Sequence, residues 1–161
     1  MSNSSRPHLV ILTEDDANKA FAIGFAKHWG IDARRIEVPQ PAHGWRNVLR
    51  DFEDNYLETI DDKDNRHVLL VIDFDTHYEE RIVEALNIIP TDLRPRVFVL
   101  GCSDKPEPLA SQFKGTKEDL GSLMAQDCVD DTDKIWSHAM LAHNKDELGR
   151  LRKAVAGFLF K

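Results

Sequence analysis

Four apolar runs rich in β-branched residues constrain this chain more than any other feature: HLVILT (8–13), RRIEVPQP (34–41), HVLLVIDFD (67–75) and PRVFVLGC (95–102). The first, third and fourth are apolar at almost every position, as expected of strands covered on both faces, and such strands pair in parallel. Between them lie amphipathic segments. After the first run, Phe21, Phe25, His28 and Trp29 recur at helical spacing, with Gly30 as the stop. After the second, Trp45, Val48, Leu49, Phe52, Tyr56 and Ile60 mark one face of a helix over 44–60, and DDKDNR (61–66) reads as the loop that follows.

A helix carrying Tyr78, Ile82, Ala85 and Leu86 follows the third run, and the chain beyond the fourth reads as helical to its end. Its pieces are a short one after Pro106, one across KEDLGSLMAQ (117–126), and a last one striped by Leu148, Leu151, Val155 and Phe158. The expected fold is therefore α/β: a Rossmann-like, mostly parallel four-stranded sheet with helices on both faces and a helical C-terminal third. Residues 1–7 read as a flexible polar tail and 8–161 as one domain, which suits a chain of 161 residues.

The net charge of −7 argues against a general electrostatic attraction to nucleic acid or an anionic membrane. No apolar stretch is long enough for a membrane span and no secretory leader is evident, so a cytoplasmic location is expected. Cys102 and Cys128 lack metal-ligand spacing and read as reduced, partly buried thiols. His138 and His143 lack the helical spacing of a metal pair and read as structural. The arginines form no long run. A phosphate-binding GxxxxGK loop, a GxGxxG turn and a Ser-His-Asp order are all missing.

What remains is a set of acids at the ends of strands. Ligand sites of open parallel sheets lie outside the carboxyl ends of the strands. There the chain places Glu14, Asp15 and Asp16, then Asp73 and Asp75, then Ser103, Asp104 and Glu107. Side chains alternate along a strand, so Asp73 and Asp75 are expected to point one way and Phe74 the other. Carboxylates crowded together raise one another's pKa, a cost that a divalent cation removes, and an oxygen-only set suits Mg²⁺ or Mn²⁺. Such a site is equipped for phosphodiester cleavage. Asp15 or Asp16 could equally cap the first helix, and Asp75 or Thr76 the third.

The pattern resembles the topoisomerase-primase (TOPRIM) domain, which has a glutamate ending its first strand, here LVILTEDDA, and Asp-x-Asp ending a later one, here LLVIDFDTH. Within that family it looks most like the nuclease branch of overcoming-lysogenization-defect proteins, where a further glutamate follows the next strand, here Glu107. The resemblance spans about residues 8–115. It implies that Glu14, Asp73 and Asp75 are catalytic and hold metal, with Asp15 or Asp16 and Glu107 completing the shell. Asp15 stands where many TOPRIM sequences carry glycine, and no lysine is placed as a phosphate clamp.

Small chains of this look also occur in bacterial antiphage operons beside an ABC-type ATPase. The resemblance thus implies a nuclease effector acting on DNA or RNA with an ATPase partner.

Two other readings compete. ILTEDDA and Asp73 also resemble the acidic pair and phosphoacceptor of response-regulator receivers, although the gap between them is longer here and no strand lysine follows. Alternatively, a TOPRIM-like fold serves as a non-catalytic assembly subunit, with the last helix as its contact surface.

Overall fold

The computed structural model describes residues 6–60, 65–113 and 115–161. Four strands, β1 (His8–Thr13), β2 (Ile36–Glu37), β3 (Arg66–Val71) and β4 (Val97–Leu100), form one parallel sheet in the order β2-β1-β3-β4. Among the described residues six α-helices accompany them: α1 (Asp16–Lys27), α2 (Trp45–Asp51), α3 (Tyr78–Asn87), α4 (Pro106–Ser111), α5 (Lys117–Asp130) and α6 (Lys145–Leu159). This is the expected α/β Rossmann-like architecture with a helical C-terminal part. The expected tail falls mainly on residues 1–5, and most of the 61–66 loop on 61–64, outside the described residues.

The alternation of side chains along each strand divides the core. Val10, Leu12, Val68, Leu70, Ile72, Phe74, Val97 and Val99 pack on one face against Val48, Leu49, Phe52 and Ala85. Leu9, Ile11, Leu69, Phe98 and Leu100 pack on the other against α1, α5 and α6, where Leu148, Leu151, Val155 and Leu159 are buried. The stripe of the last helix is thus docked on the chain's own sheet. Cys102 and Cys128 are free thiols, as expected, and are buried rather than partly buried.

Several boundaries differ from expectation for identifiable reasons. The second strand shrinks to Ile36–Glu37: Asp32 caps a 3₁₀ turn over Ala33–Arg35, and Pro39 and Pro41 cannot donate to a ladder. The helix expected over 44–60 is α-helical only to Asp51, then π-helical over Phe52–Tyr56 and 3₁₀ over Leu57–Thr59. Phe52 and Tyr56 are spaced by four, which overshoots a 3.6-residue turn, and the wider π turn takes up the excess. Pro95 lies in a 3₁₀ segment, Thr91–Arg96, so the fourth strand starts at Val97. Trp29, expected on the buried face of the first helix, lies beyond its last turn and is 72% exposed.

Two glycines set how closely α1 and α5 cross. A Cβ on Gly24 would lie 1.9 Å from the carbonyl oxygen of Glu118, and one on Gly121 would lie 2.1 Å from that of Phe21. The backbones therefore touch directly, and this contact holds the second half of α1 against α5.

β4 lies at an edge of the sheet, yet its outward donors are taken. Glu147 Oε2 accepts from Val99 N at 2.9 Å, while Asn144 Oδ1 accepts from Gly101 N at 3.2 Å and Asn144 Nδ2 donates to Gly101 O at 2.9 Å. Side chains around the start of α6 thus close the edge to further pairing.

Candidate metal centre

At the carboxyl ends of β1, β3 and β4 an open cleft of about 760 Å³ is lined by Glu14, Asp15, Asp73, Asp75, Asp104 and Glu107, with Trp45, Arg81 and Lys105 among its other walls. The acids expected to converge do so, except Asp16. It is the exposed first residue of α1 and lies outside the cleft.

Glu14 is the first residue past β1, and its backbone is pinned because its carbonyl accepts from His43 N at 2.8 Å and Gly44 N at 3.3 Å. Its carboxylate reaches the neighbouring strand's extension, where Oε2 accepts from Asp73 N at 2.8 Å. Burial raises the Glu14 pKa, the Asp73 N–H partly offsets this, and the neighbouring charges of Asp15 and Asp75 raise it further while Arg81 lowers it. Asp15 is the N-cap of α1, with Oδ1 accepting from Asn18 N at 3.0 Å. Capping and cleft lining are both true of this residue.

β3 ends at Val71, earlier than its apolar run, but its backbone stays paired with β4: Ile72 N donates to Leu100 O at 3.1 Å and Phe74 N to Cys102 O at 2.9 Å. Phe74 is buried in the core and Asp73 faces the opposite way, into the cleft wall, as strand alternation requires. Asp75 reaches the cleft by another route. With φ +46° at Asp75 and +64° at Thr76 the chain has left the strand through two left-handed residues, the second β-branched. That conformation is held by Thr76 N donating to Ser103 O and His77 N to Phe74 O, both at 2.7 Å. The expectation that strand pleating alone would align the two aspartates is corrected: a strained turn carries the second.

Asp73 is 7% exposed, and its Oδ1 accepts from Asn18 Nδ2 at 3.1 Å. Burial pushes its carboxyl up to about 7, against the lowering effect of Asn18, and the charges of Glu14, Asp15 and Glu107 add to the rise. Asn18 itself is 2% exposed, and its Oδ1 has no hydrogen-bond partner. Cys102, behind the same wall, is pushed up to about 12 by burial first and by Asp73, Glu107 and Asp15 next, so it remains a thiol.

Three contributors escaped the sequence reading. Asn18 gives no signal beyond falling within the first turn after the cap. Arg81 stands on α3, one helical turn after the residue preceding it, and Trp45 reads simply as a core position on α2. The histidine-rich segment 136–144 does fold back toward this edge, where Ser103 N donates to Met140 O, but its histidines are occupied: His143 Nε2 pairs with Gly101 O and His138 Nε2 with Gln112 Oε1, both at 2.7 Å.

The donor chemistry fits a hard divalent cation. Among the described residues that line the cleft the candidate ligands are carboxylates, with no His or Cys. Among the described residues no group of three or more His, Cys, Asp or Glu side chains stands close enough to chelate an ion in this conformation. Fold and site together define a parallel α/β protein with an acidic cleft at its topological edge. Comparison with protein-family models, with curated proteins and with solved structures finds no match. Among the described residues no helix is long and apolar enough to cross a membrane.

Proposed function

We propose that this chain is a TOPRIM-like, Mg²⁺- or Mn²⁺-dependent phosphodiester hydrolase, a nuclease effector that works with an ATPase partner in antiphage defence. The observation that carries the reading is the pairing of Glu14 with Asp73. One carboxylate is clamped on the backbone N–H of the other, and the second is held at a pKa of about 7 in a cleft shared with four more acids. Structural carboxylates are normally neutralised by donors, and this pair is surrounded by further negative charge.

Glu14 and Asp73 would hold one cation, Asp75 would share or position a second, and Asp15 and Glu107 would complete the shell. Bound there, the cation supplies charge for the attacking and leaving oxygens of an in-line displacement. Asn18 orients the Asp73 carboxylate, and the Glu14 bond to Asp73 N fixes the spacing between the two strands' acids.

Receiver chemistry has less support. Among the described residues the chain after β4 forms helices, with no fifth strand to carry a lysine.

The test is cleavage of DNA and RNA substrates in Mg²⁺ or Mn²⁺, with the ATPase partner present, alongside thermal melting. Glu14→Ala and Asp73→Asn are expected to abolish both cleavage and the rise in melting temperature on adding metal, and Asp16→Asn to keep both. Retained cleavage by Asp73→Asn protein would overturn the assignment. Phosphoryl uptake from acetyl phosphate at Asp73 would replace it with the receiver reading.

A further inference from the structure

Arg81 is seated in the wall of the acidic cleft by three contacts of unequal strength. Nη1 donates to the carbonyl oxygen of Asp73 at 2.6 Å, and the guanidinium carbon lies 4.8 Å from the ring centroid of Trp45. Its remaining partner is looser: Nη2 is 3.8 Å from Asp75 Oδ2, beyond hydrogen-bonding distance. Only 15% of the Arg81 side chain is exposed, against 48% for Asp75. The guanidinium is therefore seated on two firm contacts, and the carboxylate in front of Nη2 is half exposed and makes no hydrogen bond to it.

We propose that Arg81 Nη2 forms a subsite for a phosphate oxygen, and that Asp75 screens this subsite until a divalent cation draws its carboxylate away. The inference rests on the metal-site reading above and adds an order of binding, cation first and oxyanion second. A guanidinium keeps its charge at all relevant pH values and matches the geometry of a phosphate group. Seated on Trp45 and on a backbone carbonyl, it loses little freedom on binding. A dication attracts the Asp75 oxygens more strongly than one loosely placed guanidinium does, so its arrival frees Nη2. Without the cation, the cleft presents six acids to an incoming phosphodiester and repels it. The ligand class is a tetrahedral oxyanion, a phosphodiester in the proposed reaction.

The experiment uses sulfate, a tetrahedral oxyanion that is not hydrolysed and stays soluble with Mg²⁺. Tryptophan fluorescence of the full chain is titrated with sodium sulfate against sodium chloride at equal ionic strength, with and without MgCl₂. In the wild type the sulfate-specific response is expected to tighten by about tenfold when Mg²⁺ is present. Asp75→Asn, whose asparagine tolerates the left-handed backbone at that position, is expected to bind sulfate equally well without Mg²⁺. Arg81→Gln is expected to lose the sulfate response while its melting temperature still rises with MgCl₂.

A sulfate response that survives in Arg81→Gln, or one indifferent to Mg²⁺ in the wild type, overturns the proposal. Should Arg81→Gln fail to fold, Arg81→Lys carries the test, since it keeps the charge and loses the fork: an unchanged affinity overturns the subsite. If MgCl₂ raises no melting temperature in the wild type, the metal reading and the gating fail together. The subsite alone is then judged by whether Asp75→Asn binds sulfate and the Asp75→Asn, Arg81→Gln double variant does not.

Discussion

Asp127 and Asp73 are both buried carboxylates, 2% and 7% exposed, yet the chain treats them in opposite ways. Asp127, near the end of α5, accepts from Thr132 Oγ1, Lys134 N, Ile135 N and Trp136 N, and so ties the following loop into one compact turn. Every direction in which it could bind something else is taken by a donor of its own segment. Asp73 accepts one amide hydrogen, from Asn18, and otherwise faces Glu14, Asp15 and Glu107. Donors close a structural carboxylate, whereas Asp73 is left open among charges that oppose its ionisation.

The comparison breaks most visibly at Asp127. Replacement by alanine orphans four donors, three of them backbone N–H groups, and is expected to cost about 3–5 kcal/mol in urea unfolding. A loss below about 1 kcal/mol would show that the loop finds other partners.

Next in size is Gly121→Ala. Its Cβ would meet the carbonyl of Phe21 at 2.1 Å, and pushing α1 away from α5 is expected to cost about 2 kcal/mol. Because α1 carries Asn18, this remote variant should also weaken the effect of Mg²⁺ on the melting temperature, whereas Asp127→Ala should leave that effect in place.

A change at Asp73 is expected to act with the opposite sign. An acid held at about 7 in the folded chain, and near its ordinary value of 3.8 when unfolded, binds its proton more tightly in the folded state. Its contribution to stability is full below the unfolded value and is lost as pH rises toward about 7. Asp73→Asn keeps an oxygen for Asn18 and removes that loss. It is expected to stabilise the metal-free protein by roughly 1–3 kcal/mol at pH 8, after allowance for cleft water, and by nothing measurable at pH 4. Melting curves at the two pH values decide it, and a destabilised variant at pH 8 would place Asp73 in the same class as Asp127.

Much of this contrast was legible in the residues. Runs such as HLVILT and VFVL fix buried parallel strands, and the rule that ligand sites lie at their carboxyl ends brings Glu14, Asp73 and Glu107 to one edge, where the structure also has them lining one cleft. The sequence could not show that Asp75 leaves the strand, because neither Asp75 nor Thr76 is the glycine that usually announces a left-handed residue. Nor could it show Asn18 and Arg81: their roles depend on where a helix lies relative to a strand more than fifty residues away, or on a carbonyl that only the turn exposes. Asp127 follows the segment 117–126 that reads as helical and carries no signal of its own in the sequence. Its donors come from the loop that it organises, and no periodic pattern marks a loop.

The closure of the β4 edge has a consequence for how the chain is made. The groups that satisfy Val99 N and Gly101 N are carried by Glu147 and Asn144, more than forty positions later. During synthesis, β1, β3 and β4 can pair once residue 101 has emerged, while the outer side of β4 keeps its hydrogen-bonding groups free until α6 is delivered. For that interval the nascent chain carries a template for unwanted pairing. A ribosome paused between these two points would therefore display a sheet that is complete in its strands and still adhesive at its border.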